Sequence, residues 1–258
     1  SYREKINKGF SGEEEIYRSN TFSIENKNNK KFKNNSIYLS TIYELGNFNA
    51  KSSEKEELID LFRNLFIGEV SQDIEVWNKK DLRGSISKDY KYSPRVIAEG
   101  IKWKNSIKSA LFLYSNDESQ KVMLLSSGPE LTFGSLKNNL FDYTRLSTKA
   151  EYILKEGTSP FAFDNVDDGI RIKFNLAQQL FGPIVLNTES YLNLDVKDND
   201  YGKFKESTFG FEIKRRAYNI GLFYKPSSKE LGIKFDIVNF GYSGLPPKFN
   251  KWKLKIIG

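Results

Sequence analysis

Ile170-Arg171-Ile172-Lys173-Phe174-Asn175-Leu176-Ala177-Gln178-Gln179-Leu180-Phe181 is the stretch on which the fold turns. Its even positions are Ile170, Ile172, Phe174, Leu176, Gln178 and Leu180, nearly all apolar. Its odd positions carry Arg171, Lys173, Asn175, Ala177 and Gln179 before Phe181 closes the run. Side chains alternate across a strand with a period of two, so this is a β-strand with one greasy and one wet face. Phe181-Gly182-Pro183 turns the chain, and Ile184–Leu194 alternates the same way, interrupted at Thr188. The polar loop Asp195–Gly202 follows. Phe209, Phe211 and Ile213 then oppose Gly210, Glu212 and Lys214. A turn at Arg215-Arg216-Ala217 returns to Tyr218–Tyr224, and Lys225–Lys229 leads into Leu231–Val238.

Working back toward the N-terminus, strands are expected at Leu146–Leu154, Leu131–Ser135, Lys121–Ser126, Ile107–Tyr114 and Val96–Trp103, with a turn at Ser115–Ser119. Phe66–Trp77 and Ile37–Leu45 also read as strands. The first 35 residues are polar, with weak alternation at Glu15–Ile24. Lys51–Asn64 is the one good helical stretch, with Ser53 placed to cap it and Glu56, Glu57 and Asp60 near its start.

Repeated strands joined by polar turns suit a transmembrane barrel, whose strands need ~9–11 residues to cross. They also suit a soluble sandwich, but sandwich strands are shorter, typically ~5–6 residues. Aromatics gather near the strand ends at Trp103, Tyr114, Tyr143, Tyr152, Phe181, Tyr191, Tyr218 and Tyr224, as in an interfacial girdle. From the pattern we expect an all-β fold, an antiparallel transmembrane β-barrel or a large part of one, with a soluble sandwich still open. In the barrel Arg171, Lys173, Asn175, Gln179, Glu212 and Lys214 face a wet lumen. Ile170, Ile172, Phe174, Leu176 and Leu180 face lipid.

Composition narrows the chemistry. The 258 residues contain no His and no Cys. A Ser/His/Asp or Cys/His catalytic arrangement cannot be built, nor can a zinc, haem or iron–sulfur site of the usual ligands. Aromatics make up 14% and apolar residues 38%. The net charge of +7 rests mostly on lysine, and Asn is abundant, as in Lys27-Asn28-Asn29-Lys30-Lys31. This has a compositional reading, an AT-rich genome, and a functional one, contact with anionic lipid or nucleic acid. No RRM, KH or helix-turn-helix signature accompanies it, so no nucleic-acid partner is expected. No run of ~18 apolar residues marks a transmembrane helix. The start, Ser1-Tyr2-Arg3-Glu4-Lys5, is charged and lacks Met, and we expect a fragment or a processed product.

Five stretches carry a family resemblance. They are Ser127-Gly128-Pro129-Glu130-Leu131-Thr132-Phe133-Gly134-Ser135-Leu136, Phe141-Asp142-Tyr143-Thr144-Arg145-Leu146-Ser147, Ser159-Pro160-Phe161-Ala162-Phe163-Asp164, Gln178-Gln179-Leu180-Phe181-Gly182-Pro183 and Arg215-Arg216-Ala217-Tyr218. In this order they resemble the cyanobacterial branch of the lipopolysaccharide-assembly outer-membrane proteins (LptD/OstA-like), known mostly as a domain of unknown function. The likeness runs over residues 91–243. We therefore take residues 91–258 as the family-like barrel portion and 1–90 as divergent earlier strands of the same barrel. The family's periplasmic jellyroll would lie upstream. The resemblance implies that the barrel belongs to the outer membrane, is non-catalytic and delivers lipopolysaccharide to the outer leaflet. Its partners would be lipopolysaccharide and outer-membrane lipid, with periplasmic lipid-transport bridge proteins beside them, and no cofactor. Alternatives are a passive porin-like channel and a soluble β-sandwich binding module. A lipase-like enzyme comes third, for want of a His base.

Among polar candidates, Asp142 and Arg145 stand three apart beside aromatics, either at a turn entering a strand or shaping a lipid route. Asp164, Asp167 and Asp168 are carboxylates in a Gly-flanked turn, with no nucleophile or partner evident, and a loop is expected there. Asp195–Gly202 has a faint likeness to a calcium loop. Gly202 is misplaced and no Glu closes it, so we read a solvated hairpin loop.

Overall fold

A computed structural model describes residues 4–6, 14–32, 35–54, 57–79, 92, 97–134, 136, 138–166, 169–215 and 217–237. The described chain is all-β. Its strands are β1 (Glu4–Ile6), β2 (Glu14–Lys31), β3 (Asn35–Lys51), β4 (Leu58–Asn78), β5 (Gly100–Tyr114), β6 (Ser119–Gly134), β7 (Tyr143–Gly157), β8 (Gly169–Phe181), β9 (Ile184–Asn193), β10 (Phe204–Lys214), β11 (Tyr218–Lys225) and β12 (Glu230–Ile237). One 3-10 turn, Ala162–Asp164, lies between β7 and β8. The twelve strands form one sheet in chain order, each bonded to its neighbours in sequence. Pairing is antiparallel in β1–β4 and in β8–β12. Among the described residues no helix is long and apolar enough to cross a membrane.

The chain forms two compact units. One comprises Ser1–Ile74, Lys104–Ser127 and Ala150–Ile170, and the other Glu75–Trp103, Gly128–Lys149 and Arg171–Gly258. In the first unit the strands bury one face at one end. Phe48 and Ala50 of β3, Leu65 and Ile67 of β4, Ala110 and Phe112 of β5, and Val122 and Leu124 of β6 form its core with Phe161, Phe163 and Val166. Burying a side chain such as Phe48 or Phe112 stabilises the fold by about 1.5–3 kcal/mol. Further along the strands the same face turns polar: Ser40 pairs with Glu69 and Ser36 with Asp73. The other face exposes Leu39, Phe62, Phe66, Val70, Ile107 and Tyr152.

In the second unit the register aligns β10, β11 and β12 so that like faces like. Ile213 opposes Ile220, which opposes Phe235; Phe211 opposes Leu222, which opposes Ile233; Phe209 opposes Tyr224, which opposes Leu231. All nine of these apolar side chains are exposed. The opposite face is charged and internally paired: Lys214 with Glu212 at 3.1 Å, Lys225 with Glu230 at 3.9 Å and Lys234 with Asp236 at 2.7 Å. A small core of Leu136, Tyr143 and Val185 packs with Tyr92, Ile97 and Ala177.

Several local expectations are corrected. Lys51–Asn64 is not a helix: β3 ends at Lys51, and β4 begins at Leu58 and pairs along the whole of β3. Ser53 caps nothing there; its hydroxyl donates to the Ser159 carbonyl at 2.6 Å. Gly100–Trp103 of the first expected run merges with Ile107–Tyr114 into the single strand β5, and Lys121–Ser126 merges with Leu131–Gly134 into β6; Val96 and Ser135 lie outside the described residues. The Gly128-Pro129 step does not break β6. A Cβ at Gly128 would collide with the Thr148 backbone oxygen, so the glycine admits the close approach of β7. Strands β2–β7, at 15 to 21 residues, exceed the expected length. Trp103, Tyr152, Phe181, Tyr218 and Tyr224 are exposed, but Tyr114 and Tyr143 are buried and Tyr191 joins the polar face.

Candidate functional site

The first site is built in the first unit around Arg63, which has no exposed surface. Odd positions of β4 from Ile59 onward face the core, so alternation alone drives this cation inward with Leu61, Leu65 and Ile67. Its guanidinium pairs with Glu44 on β3 and with both carboxylate oxygens of Asp164, the second at 2.5 Å. It also lies over the Phe48 ring at 4.1 Å and 5.2 Å from the Phe163 ring. The Tyr114 hydroxyl is 2.8 Å from Ser159 Oγ and 3.2 Å from Asp164 Oδ2. Gln120 Nε2 donates to the Asp164 carbonyl at 2.8 Å.

Asp164 therefore leaves the solvated loop in which the sequence placed it: it is buried and paired with an arginine 101 residues away. The segment Ser159-Pro160-Phe161-Ala162-Phe163-Asp164 folds back over the apolar end of the sheet face. Ser52 bridges Phe161, and Ser53 N–H donates to the Pro160 carbonyl at 2.8 Å. Phe161 packs edge-on to Tyr114 and Phe48. Removing one partner of such a buried pair typically costs 3–5 kcal/mol, because the other charge stays buried without compensation. Asp167 and Asp168 lie outside the described residues.

The second site is in the second unit, where three of the resembling stretches meet. Gln179 is fully buried. Its amide donates to the carbonyls of Asn138 at 2.9 Å and Gly182 at 2.7 Å, and its oxygen accepts from Asp142 N–H at 2.8 Å. Asp142 accepts from the backbone and side-chain amides of Asn138, each at 3.0 Å. Thr144 donates to Gln178 at 2.6 Å. Gly134, at φ +73°, supplies a left-handed turn in which a Cβ would strike the Asp142 carbonyl. Asp142 thus ties a loop, while Arg145 pairs with Glu130 at 2.5 Å.

The remaining candidates fall on two faces of β8–β10. Arg171 opposes Asn193, Lys173 opposes Tyr191 and Asn175 opposes Glu189 on one face, which Gln179, Glu212 and Lys214 share. Lys173 pairs with Glu189 at 2.6 Å and donates to Tyr191 at 2.8 Å, and Arg171 stacks on the Tyr191 ring at 4.2 Å. Asn187 donates to Glu212 at 3.1 Å. Ile172, opposite Leu192, Phe174, opposite Ser190, and Leu176, opposite Thr188, occupy the other face, while Ile170 precedes the paired register and Leu180 falls at a register shift. Lys205, at the start of β10, spans Asp198 at 2.7 Å and Asp200 at 3.3 Å in the loop after β9. The Lys205 ammonium holds the Asp198 carboxyl below the usual carboxylate range, and Lys203 with Lys205 does the same for Asp200. The carboxylates that suggested calcium thus have lysine ammonium groups as partners.

An all-β chain of antiparallel meander order, with one exposed apolar face and one ion-paired face, defines the class. The chain belongs to the DUF3769 family, described as a protein of unknown function, which matches residues 1–241. No curated protein and no solved structure matches it.

Proposed function

We propose that the protein is a barrel-forming stretch of the outer membrane that carries lipopolysaccharide to the outer leaflet and makes or breaks no bonds in it. The observation that carries the membrane half of this reading is the pair of faces on β10–β12. Nine aligned apolar side chains stand exposed on one side, and three ion pairs occupy the other. A contiguous apolar surface that large marks an interaction with lipid or protein. Strands with one apolar and one polar face meet both a hydrocarbon exterior and a wet lumen. The lipopolysaccharide half rests on the five resembling stretches, one of which carries the buried tie at Asp164 and three of which meet at Gln179. In this reading Arg171, Lys173, Asn175, Glu212 and Lys214 line the lumen, Gln179 on the same side is covered by the loops it ties, and the face of Ile172, Phe174 and Leu176 meets lipid. At ~3.4 Å per residue, β4 reaches on the order of 70 Å, well beyond a hydrocarbon core of ~30 Å. The long strands β3–β7 therefore carry ends that stand in water.

Depletion of the full-length protein tests the reading. Lipopolysaccharide accessible at the cell surface is measured against that retained inside, and surface lipid is expected to fall while internal lipid accumulates. Unchanged surface lipid would remove the export assignment and favour a passive channel.

A further inference from the structure

The segment Ser159–Val166 is described at every residue, and Ser159, Phe161, Phe163, Asp164 and Val166 are each 3% exposed or less. A connection between two strands ordinarily runs over the surface, because buried backbone polar groups need partners. This one lies against the buried face of β3–β6, with its partners supplied by Ser53, Gln120, Tyr114 and Arg63. We propose that Ser159–Val166 is an internal plug that closes the lumen near one end and that the Arg63–Asp164 pair is its releasable latch. The inference rests on the barrel reading above and goes beyond it by making the resting protein impermeable to ions.

Three features favour a latch over a permanent fastening. First, an ion pair is a poor choice for fixed packing, since apolar residues of similar volume often hold a core as well or better. Second, the closed arrangement leaves Arg63 Nε and Gln120 Oε1 buried without a hydrogen-bond partner, a penalty that opening to water relieves. Third, the segment is bounded by Gly157 at φ +82° and Gly169 at φ +151°, backbone settings suited to glycine. Such residues at element ends can absorb the dihedral change of a hinge. Phe161 and Phe163, packed on Phe48, are the apolar body that fills the opening.

The test is ionic current through the full chain reconstituted in planar bilayers, with insertion checked by co-flotation with liposomes. Wild type is expected to stay closed nearly all the time. Asp164→Asn, which keeps hydrogen-bonding atoms but removes the charge, should open intermediately. Asp164→Lys, which sets like charges together, should raise the open fraction on the order of a hundredfold, the scale of leaving a buried charge unpaired. A second variant adds Ser52→Cys and Phe161→Cys to Asp164→Lys, using the Ser52–Phe161 bridge as the cross-link position. Oxidation should close this channel and reduction should reopen it. Equal open fractions in wild type, Asp164→Asn and Asp164→Lys would overturn the plug while leaving the barrel standing. So would current indifferent to oxidation. Failure of the wild-type chain to float with liposomes would overturn the barrel reading and the plug together.

Discussion

Gln179 is uncharged and unreactive, yet it joins three backbone groups from two loops through one amide. Gln179→Leu preserves the approximate volume and strands the Asn138 and Gly182 carbonyls and the Asp142 N–H. Of the three, the Gly182 carbonyl is buried, and stranding it costs about 1–3 kcal/mol, so the variant should lose at least about 1 kcal/mol in urea unfolding followed by tryptophan fluorescence. An unchanged midpoint would show that the tie contributes nothing to stability. The sequence placed Gln179 on the polar face of its strand, where the structure buries it completely. The loop that returns to meet it was not legible, because alternation describes a strand's own faces and carries no information about distant backbone. Arg63 and Asp164 were missed for the same reason. One was assigned to a helix and the other to a solvated turn, and only the fold brings together groups 101 residues apart. The single available signal was the pairing of Asp164 with two phenylalanines in Phe161-Ala162-Phe163-Asp164, an apolar setting odd for an exposed loop.

At the scale of the element, β8 decides between a bilayer and water. Cysteines replace Ile172, Phe174 and Leu176 one at a time, then Arg171, Lys173 and Asn175, in a chain that otherwise has none. With an environment-sensitive dye on each and a lipid-borne quencher in liposomes, quenching is expected at the even positions alone. Equal quenching on both faces, or none, would remove β8 from the membrane. Phe174→Arg should in addition cost ~2–4 kcal/mol if the site lies near the bilayer midplane. Strands β8–β12 were readable because one face is apolar and the other is not. Around Leu58–Ile67 of β4 both faces are apolar, one packed on the core and the other exposed. Alternation vanishes there, and runs such as Leu65-Phe66-Ile67 beside a cluster of acids resemble a helix. The same physics split β5 and β6, where polar positions on the inner face and the Gly128-Pro129 step look like ends.

For the whole molecule, the reading of a non-catalytic conduit predicts no turnover of lipid esters or glycosides by the purified chain. With no His or Cys, the general base would have to be a carboxylate, a lysine or a tyrosine, and the sequence singled out only carboxylates. Asp164 is clamped by Arg63, and Asp142 is engaged by Asn138. Turnover that is lost on Asp142→Asn or Asp164→Asn would refute the assignment. All-β architecture was legible in the sequence as a whole, since polar turns recur between alternating runs. The plan by which each strand bonds only to its neighbours in sequence could not be read from any single run. That plan bears on how such a protein changes over generations. When every hairpin touches only the one before and the one after, a duplicated hairpin can be spliced in without re-pairing any other strand. Ancestral copying errors of that kind would alter the sheet in steps of two strands. Lineages would then differ in strand number while keeping the same buried ties at Arg63 and Gln179.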